Sequence, residues 1–193
     1  MAQTTKYGFF LKKSLLPSRE QPAALEVILK NSAALVIGQA VELDSGFLDG
    51  ATVSEAFLGI LVGIVDKNGQ NIFKQSLSPK PAGTIVGNDT YTAASNNQTV
   101  DQIKGEVVID PFALFLAYSD STLTQAGVGL WFNGKVNAAT YIDGVTGSGG
   151  AYSAGTQQFQ MIELVSTLGD GSTSTTTGLF KIGRSQLLND ITA

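Results

Sequence analysis

The chain has 193 residues and contains no histidine and no cysteine, which excludes Ser-His and Cys-His nucleophile systems, thiol redox chemistry and zinc or copper sites built on those ligands. Apolar residues make up 43% and charged residues 15%; that charge is well below the roughly 25% of an average globular protein, which argues against an intrinsically disordered chain and leaves part of the surface expected to meet protein rather than water. The net charge of −4 is uneven: Lys6, Lys12, Lys13, Arg19 and Lys30 face only Glu20 and Glu26 within residues 1–30, and the remaining acidic body offers no footprint for nucleic acid.

In chain order, residues 1–22 read as an extended arm, with Tyr7, Phe9, Phe10, Leu11, Leu15 and Leu16 as apolar teeth and Pro17 and Pro22 opposing a continuous helix. Ala23 to Lys30 fits a short helix or a strand equally. Leu35, Ile37, Val41 and Leu43 fall in a period-2 pattern, and Asp44-Ser45-Gly46 and Asp49-Gly50 read as turns. Phe57 to Val65 is a buried strand, ended by Asp66-Lys67-Asn68-Gly69, with Ile72-Phe73 returning as its hairpin partner. Pro79 and Pro81 punctuate a loop, and polar residues 87–102 read as a long exposed loop. Glu106 to Asp110 and Ala113 to Tyr118 are strands separated by Pro111. Asn133-Gly134, between Val128–Phe132 and Lys135–Ile142, predicts a type I′ hairpin. Residues 144–155 form a Gly/Ser segment, 158–165 a strand, 168–178 a loop and 179–183 a last short strand. Many short strands with turn signals predict an all-β fold, a small β-sandwich or barrel with an extended N-terminal arm. The division expected is 1–31, arm and short connecting element, and 32–193, a β-rich domain.

The longest apolar run, Ala56 to Val65, is about half the ~20 residues a spanning helix needs. Phe9-Phe10-Leu11 is cut by Lys12-Lys13, far short of a secretory core of roughly 7–15 residues. Without such a signal, Asn88-Asp89-Thr90 and Asn97-Gln98-Thr99 are chance matches to the glycosylation pattern. A cysteine-free chain suits a reducing cytosol and equally a particle exposed to any redox condition.

Candidate chemistry is sparse. Asp101, Glu106 and Asp110 are the densest carboxylates, and Glu106 and Asp110 would share a strand face as a glycosidase pair requires; solvated strand ends explain them better. Lys12, Lys13 and Ser14 fit a Ser-Lys nucleophile poorly, because that chemistry needs a rigid, buried lysine. Asp66, Asn68 and Gly69 start like a calcium loop, but Leu77 stands where the bidentate glutamate belongs, so a hairpin turn is preferred. Gly147-Ser148-Gly149-Gly150 lacks the lysine and helix of a phosphate loop. Trp131 and Tyr141 suit sugar stacking or an interface, with core packing the stronger reading. The basic, apolar arm marks Lys6, Tyr7, Phe9, Phe10, Leu11, Lys12 and Lys13 as partner-binding residues, by strand addition or groove docking; packing on its own domain, or disorder, is an equal alternative. No catalytic, cofactor or metal residue is expected, and no enzyme activity.

The stretch Leu35-Val36-Ile37-Gly38-Gln39-Ala40-Val41-Glu42-Leu43-Asp44-Ser45-Gly46, followed by Phe57-Leu58-Gly59-Ile60-Leu61-Val62-Gly63-Ile64-Val65, resembles the head decoration, or cement, proteins of tailed bacteriophages. In that family a G-x-x-V-x-L-x-x-G strand precedes an x-L-G-I strand in a small β domain. The resemblance is confined to residues 35–65 and carries over no contact residue. It implies a non-enzymatic virion protein, made in the host cytoplasm, that binds the major capsid protein on the outside of the head as a homotrimer. It implies no nucleic acid, membrane or small-molecule partner and no cofactor. The alternatives are a tail-tube or other self-assembling β protein, bridging subunits through 87–102 or 144–155, and a carbohydrate-binding module using Trp131 and Tyr141.

Overall fold

A computed structural model describes residues 9–15, 22–51, 57–74, 90–135, 144–146, 149–150, 158–165, 174–183 and 186. In chain order the strands are β1 (Phe10–Ser14), β2 (Ala24–Ile28), β3 (Ala34–Val36), β4 (Ala40–Asp44), β5 (Phe47–Gly50), β6 (Gly59–Val65), β7 (Asn71–Lys74), β8 (Thr90–Thr92), β9 (Lys104–Val108), β10 (Ala113–Thr124), β11 (Trp131–Phe132), β12 (Gly134–Lys135), β13 (Gly144–Val145), β14 (Phe159–Leu164) and β15 (Ser174–Ile182). The fold is all-β, as expected. Phe10–Ser14 and Ala24–Ile28 sit in sheets with later strands, so the segment expected as arm and connector supplies β1 and β2.

One sheet runs β2-β9-β6-β4-β5, with β7 added on β6. A parallel bridge between Leu29 and Leu48 brings β5 back beside the end of β2, and the Lys30 N–H donates to the Leu48 carbonyl at 2.9 Å. The sheet is thereby almost a closed barrel. Its interior holds Leu29, Leu35, Val41, Leu48, Leu58, Leu61, Ile64 and Val107, and the β3–β8 ladder brings Ala33 and Ala93 against the same core. The second sheet runs β11-β14-β15-β10-β13-β12, with β1 on β10. It packs on the outside of the barrel through a second core containing Phe9, Phe57, Phe115, Phe132, Phe159 and Phe180.

β6 explains why its sequence is apolar without interruption. Every one of its seven residues is buried, because Leu61 and Ile64 fill the barrel while Ile60 and Val62 face the second sheet. A bulge against β9 between Leu61 and Gly63 keeps both faces supplied. A strand covered on both sides has no polar face to show, so it reads as a run rather than an alternation.

Four expectations are corrected. Asn133-Gly134 makes no hairpin: β11 pairs with β14, β12 pairs with β13, and neither residue has positive φ. Phe132 is drawn into the inter-sheet core and the Gly134 N–H donates to the Gln158 side chain at 2.8 Å, so the chain passes straight on from one neighbour to the next. The two-residue turn with both residues at positive φ is instead Ser45-Gly46 (54° and 84°), joining β4 to β5, as a type I′ geometry requires. Asp49-Gly50 lies inside β5. The described part of 87–102 is not exposed loop throughout: Thr90–Thr92 form β8 and pair with β3, and in the mostly exposed turns that follow, Asn97 is fully buried. Its amide donates to the carbonyls of Leu29 (2.8 Å) and Ile103 (3.2 Å) and accepts from the Ile103 N–H (2.9 Å), tying this segment to the barrel. Residues 174–178, expected as loop, begin β15, because β10 extends to Thr124 and offers a ladder there.

Candidate assembly surface

The N-terminal strand is built from the inside out. Phe9 is fully buried, its N–H donates to the Gly38 carbonyl at 2.7 Å, and its ring stacks on Phe159 with centroids 4.5 Å apart. Phe159 stacks on Phe57 as well, at 5.1 Å. β1 then runs antiparallel to β10, with Phe10 opposite Leu116 and Leu11 opposite Phe115, and a bulge follows before Lys13 meets Leu114. Leu11 packs partly on the inter-sheet core, and Lys12, at the bulge, is exposed. Of the residues expected to meet a partner, Phe9 is therefore corrected to a core residue: its ring is spent on this chain's own phenylalanines. Leu11 also turns toward the chain's own core. Phe10 and Lys13 are placed by their backbone in β1, and Lys6 and Tyr7 lie outside the described residues.

The strand leaves at Leu15, which is 41% exposed and donates its N–H to the Phe112 carbonyl at 2.8 Å. Phe112 is itself 44% exposed. The chain comes back to the same turn: the Ala23 N–H donates to Asp110 Oδ2 at 3.4 Å, and Leu25, one turn of the pleat further on, is also exposed. Leu15 and Phe112 thus form a small apolar surface beside the entry and exit of the segment between β1 and β2.

The nominated carboxylates do separate structural work. Asp110 is buried, not solvated; its Oδ1 accepts from the Phe112 N–H at 2.8 Å, and its carbonyl accepts from the Ala113 N–H at 3.1 Å, an Asx-type turn around Pro111. Glu106 lies within β9 opposite Glu26, whose carboxylate is paired with Lys104 at 3.1 Å. Asp110 falls beyond the end of β9, so the strand spacing that would align it with Glu106 does not continue. Asp101 lies near Tyr91, and burial followed by that negative charge raises the Tyr91 phenol above its ordinary value. Asp66 caps a turn, its Oδ1 accepting from the N–H groups of Asn68 and Gln70 at 2.8 Å each, with Gly69 at φ 79°. Lys12 is in an exposed position in β1, without the burial a lysine base needs. Trp131 lies on Gly183 so closely that a Cβ there would overlap its ring. Tyr141, Leu77 and the Gly147-Ser148 pair lie outside the described residues. Among the described residues no group of three His, Cys, Asp or Glu could hold a metal ion, and no helix is long and apolar enough to cross a membrane.

Two features escaped the sequence reading. Lys30 Nζ bridges Asp44 (2.5 Å) and Asp49 (2.8 Å) across the barrel seam. The hydrogen bonds that Lys30 donates to Asp44 and then to Asp49 raise the lysine's pKa, and the bond Asp44 accepts from Lys30, followed by that from Ser45, lowers the Asp44 carboxyl. Asp44 and Asp49 flank a readable turn, but Lys30 is brought to them only in space. Gln186 uses its amide like a strand residue, accepting from the Leu43 N–H at 2.7 Å and donating to the Leu43 carbonyl at 3.3 Å. It covers the β4 edge where β6 has diverged, and no local pattern announces that.

No protein-family model, curated protein or solved structure matches the chain.

Proposed function

We propose that the protein is a structural component of a tailed-phage virion: a capsid decoration, or cement, protein that binds the major capsid protein on the outside of the head as a homotrimer. The observation that supports this most is the arrangement of the stretch that resembles that family. Its two strands, β4 and β6, are antiparallel neighbours in the small barrel, joined through Ala40↔Ile60 and Val41↔Gly59. The glycines of the motif also have physical reasons. Gly38 and Gly46 have φ of 92° and 84°, a region that suits glycine. At Gly59 a Cβ would collide with the Val108 carbonyl of β9.

The mechanism is mechanical. A rigid two-sheet body presents low-charge surface, including Leu15 and Phe112, to identical neighbours in a lattice. Many modest contacts sum through multivalency, so high occupancy does not demand a tight single site. The test is cosedimentation of the purified chain with expanded, DNA-free heads of its virus, with light scattering on the free protein. Saturable binding at a fixed ratio to capsid subunits is the expected result. Failure to bind, with rings or tubes forming from the chain alone, would replace this reading with the tail-tube one. A monomer that ignores heads but binds glycans, and loses them on Trp131→Ala, would replace it with a carbohydrate-binding module.

A further inference from the structure

The geometry points to Asn68 as a modification site: it deamidates through a cyclic imide formed with the Gly69 nitrogen, and the aspartate and isoaspartate that result loosen the β6–β7 hairpin. The inference concerns one edge of the barrel and does not depend on the capsid reading.

The chain has two Asn-Gly pairs, Asn68-Gly69 and Asn133-Gly134. Ring closure favours such a pair because glycine leaves its own nitrogen unhindered and gives the backbone freedom to turn. The fold treats the two pairs in opposite ways. The Gly134 N–H donates to the buried Gln158 side chain at 2.8 Å, and Gly134 lies in β12, in register with Val145 of β13. Asn133 Oδ1 is shut away from solvent. There the attacking nitrogen is committed elsewhere, and the water that must finish the reaction is kept out.

Asn68 and Gly69 are both exposed, at the turn between β6 and β7. Gly69 has a φ of 79°, with open space where a Cβ would stand. Its N–H donates to the Asp66 carbonyl at 3.0 Å, a bond at the surface that water replaces at little net cost. Asn68 Nδ2 lies 3.5 Å from Asp66 Oδ2, too far to hold the carboxamide firmly. The step needs no co-reactant but water. The Gly69 nitrogen gives up its proton and attacks Asn68 Cγ; the Cγ–Nδ2 bond breaks, and Nδ2 takes a proton and leaves as ammonia. Water then opens the imide at one carbonyl to give aspartate, or at the other to give isoaspartate.

The product strikes the residue that organises the turn. Asp66 Oδ1 accepts from the N–H groups of Asn68 and Gln70 at 2.8 Å each, and the Asp66 N–H donates to the Gln70 carbonyl at 2.9 Å. A carboxylate at position 68 replaces an amide donor with a second negative charge beside Asp66. Isoaspartate also lengthens the main chain by a methylene between the residues that this cap ties together. The ladder that follows, Val65↔Asn71, Ile64↔Phe73 and Gly63↔Lys74, already carries a bulge. Because the ammonia is lost, the change accumulates in one direction with the age of each molecule.

The full-length protein is held at mildly alkaline pH, sampled over days and mapped by trypsin digestion and tandem mass spectrometry, with a parallel sample unfolded in urea. In the folded protein, residue 68 is expected to convert several-fold faster than residue 133, and in urea the two rates converge. Equal rates in the folded protein, or a faster residue 133, would overturn the assignment. The consequence is read separately by hydrogen exchange over residues 71–74 in Asn68→Asp and in the neutral reference Asn68→Ser. Several-fold faster exchange is expected in Asn68→Asp, with Asn68→Ser close to the parent chain; parental exchange in Asn68→Asp would overturn the loosening.

Discussion

The barrel and the inter-sheet layer are two cores of one chain, and they are made of different material. The barrel interior is aliphatic, built from leucine, valine, isoleucine and alanine. The layer between barrel and second sheet is phenylalanine-rich, with Phe9, Phe57 and Phe159 in a stack and Phe132 edge-on to Phe180 at 5.4 Å. Size accounts for the difference. A barrel of five strands is narrower than the eight-stranded kind, and among the described residues the one aromatic side chain packed against its core, Tyr91, is only partly buried. The barrel even needs a residue with no side chain at Gly105, where a Cβ would press on Leu48, Leu61 and Leu29 together. Two packed sheets stand about 10 Å apart, a slab that rings fill well.

That contrast can be broken from either side. The largest effect is expected from Phe159→Ala, which removes the middle ring of the stack. It should cost about 3–5 kcal/mol, as aromatic-to-alanine changes in cores do; a urea midpoint close to that of the parent chain would deny the slab its aromatic basis. Gly105→Ala attacks the barrel by overfilling it. A cost of about 1–3 kcal/mol is expected, because the three leucines it would displace are part of a closed interior, and a neutral result would mean the barrel has room to spare. The smallest effect belongs to the seam. Asp44 has a lowered pKa, so its contribution is present above the ordinary 3.8 and is lost as pH falls through the lowered value. Lys30 has a raised pKa, so its contribution is present below the ordinary 10.5 and is lost as pH climbs through the raised value. Lys30→Met should therefore lower stability slightly at neutral pH, by an amount that shrinks in high salt and disappears in strong acid. An acid-independent difference would assign the effect to the lysine's methylenes instead.

Legibility in the sequence followed how local the cause was. β6 announced itself because burial on both faces leaves a plain apolar run, and the Asp66–Gly69 turn because its cap and its glycine are adjacent. The all-β class followed from such pieces. Asn133-Gly134 misled because a favourable turn dipeptide competes with tertiary demand, and here the Phe132 socket and the Gln158 side chain prevailed. Residues 174–177 are Ser-Thr-Thr-Thr; the polarity suggested a loop, although threonine suits a strand whenever a neighbour's ladder is waiting. Asn97 looked like loop asparagine since its partners, Leu29 just after β2 and Ile103 just before β9, come together only when those two strands pair. Of the nominated surface, the chain's basic, apolar start was visible as unusual, but the fate of Phe9 depended on a socket assembled from residues 57 and 159.

The double burial of β6 has a consequence during synthesis. On one edge β4 pairs with Gly59 and Ile60 and β7 with Gly63 to Val65, but the partner for the other edge, β9, lies some forty residues downstream, while β2 waits for the same β9 across more than seventy. As the chain leaves the ribosome, the apolar stretch 57–65 therefore emerges ahead of residues 104–108 with one edge unpaired, and its outer face must wait for Phe115 and Phe159. Pairing over such distances is slow and aggregation-exposed. The nascent chain is thus most vulnerable after β6 has emerged and before β9 follows it, a window in which holding chaperones would matter most.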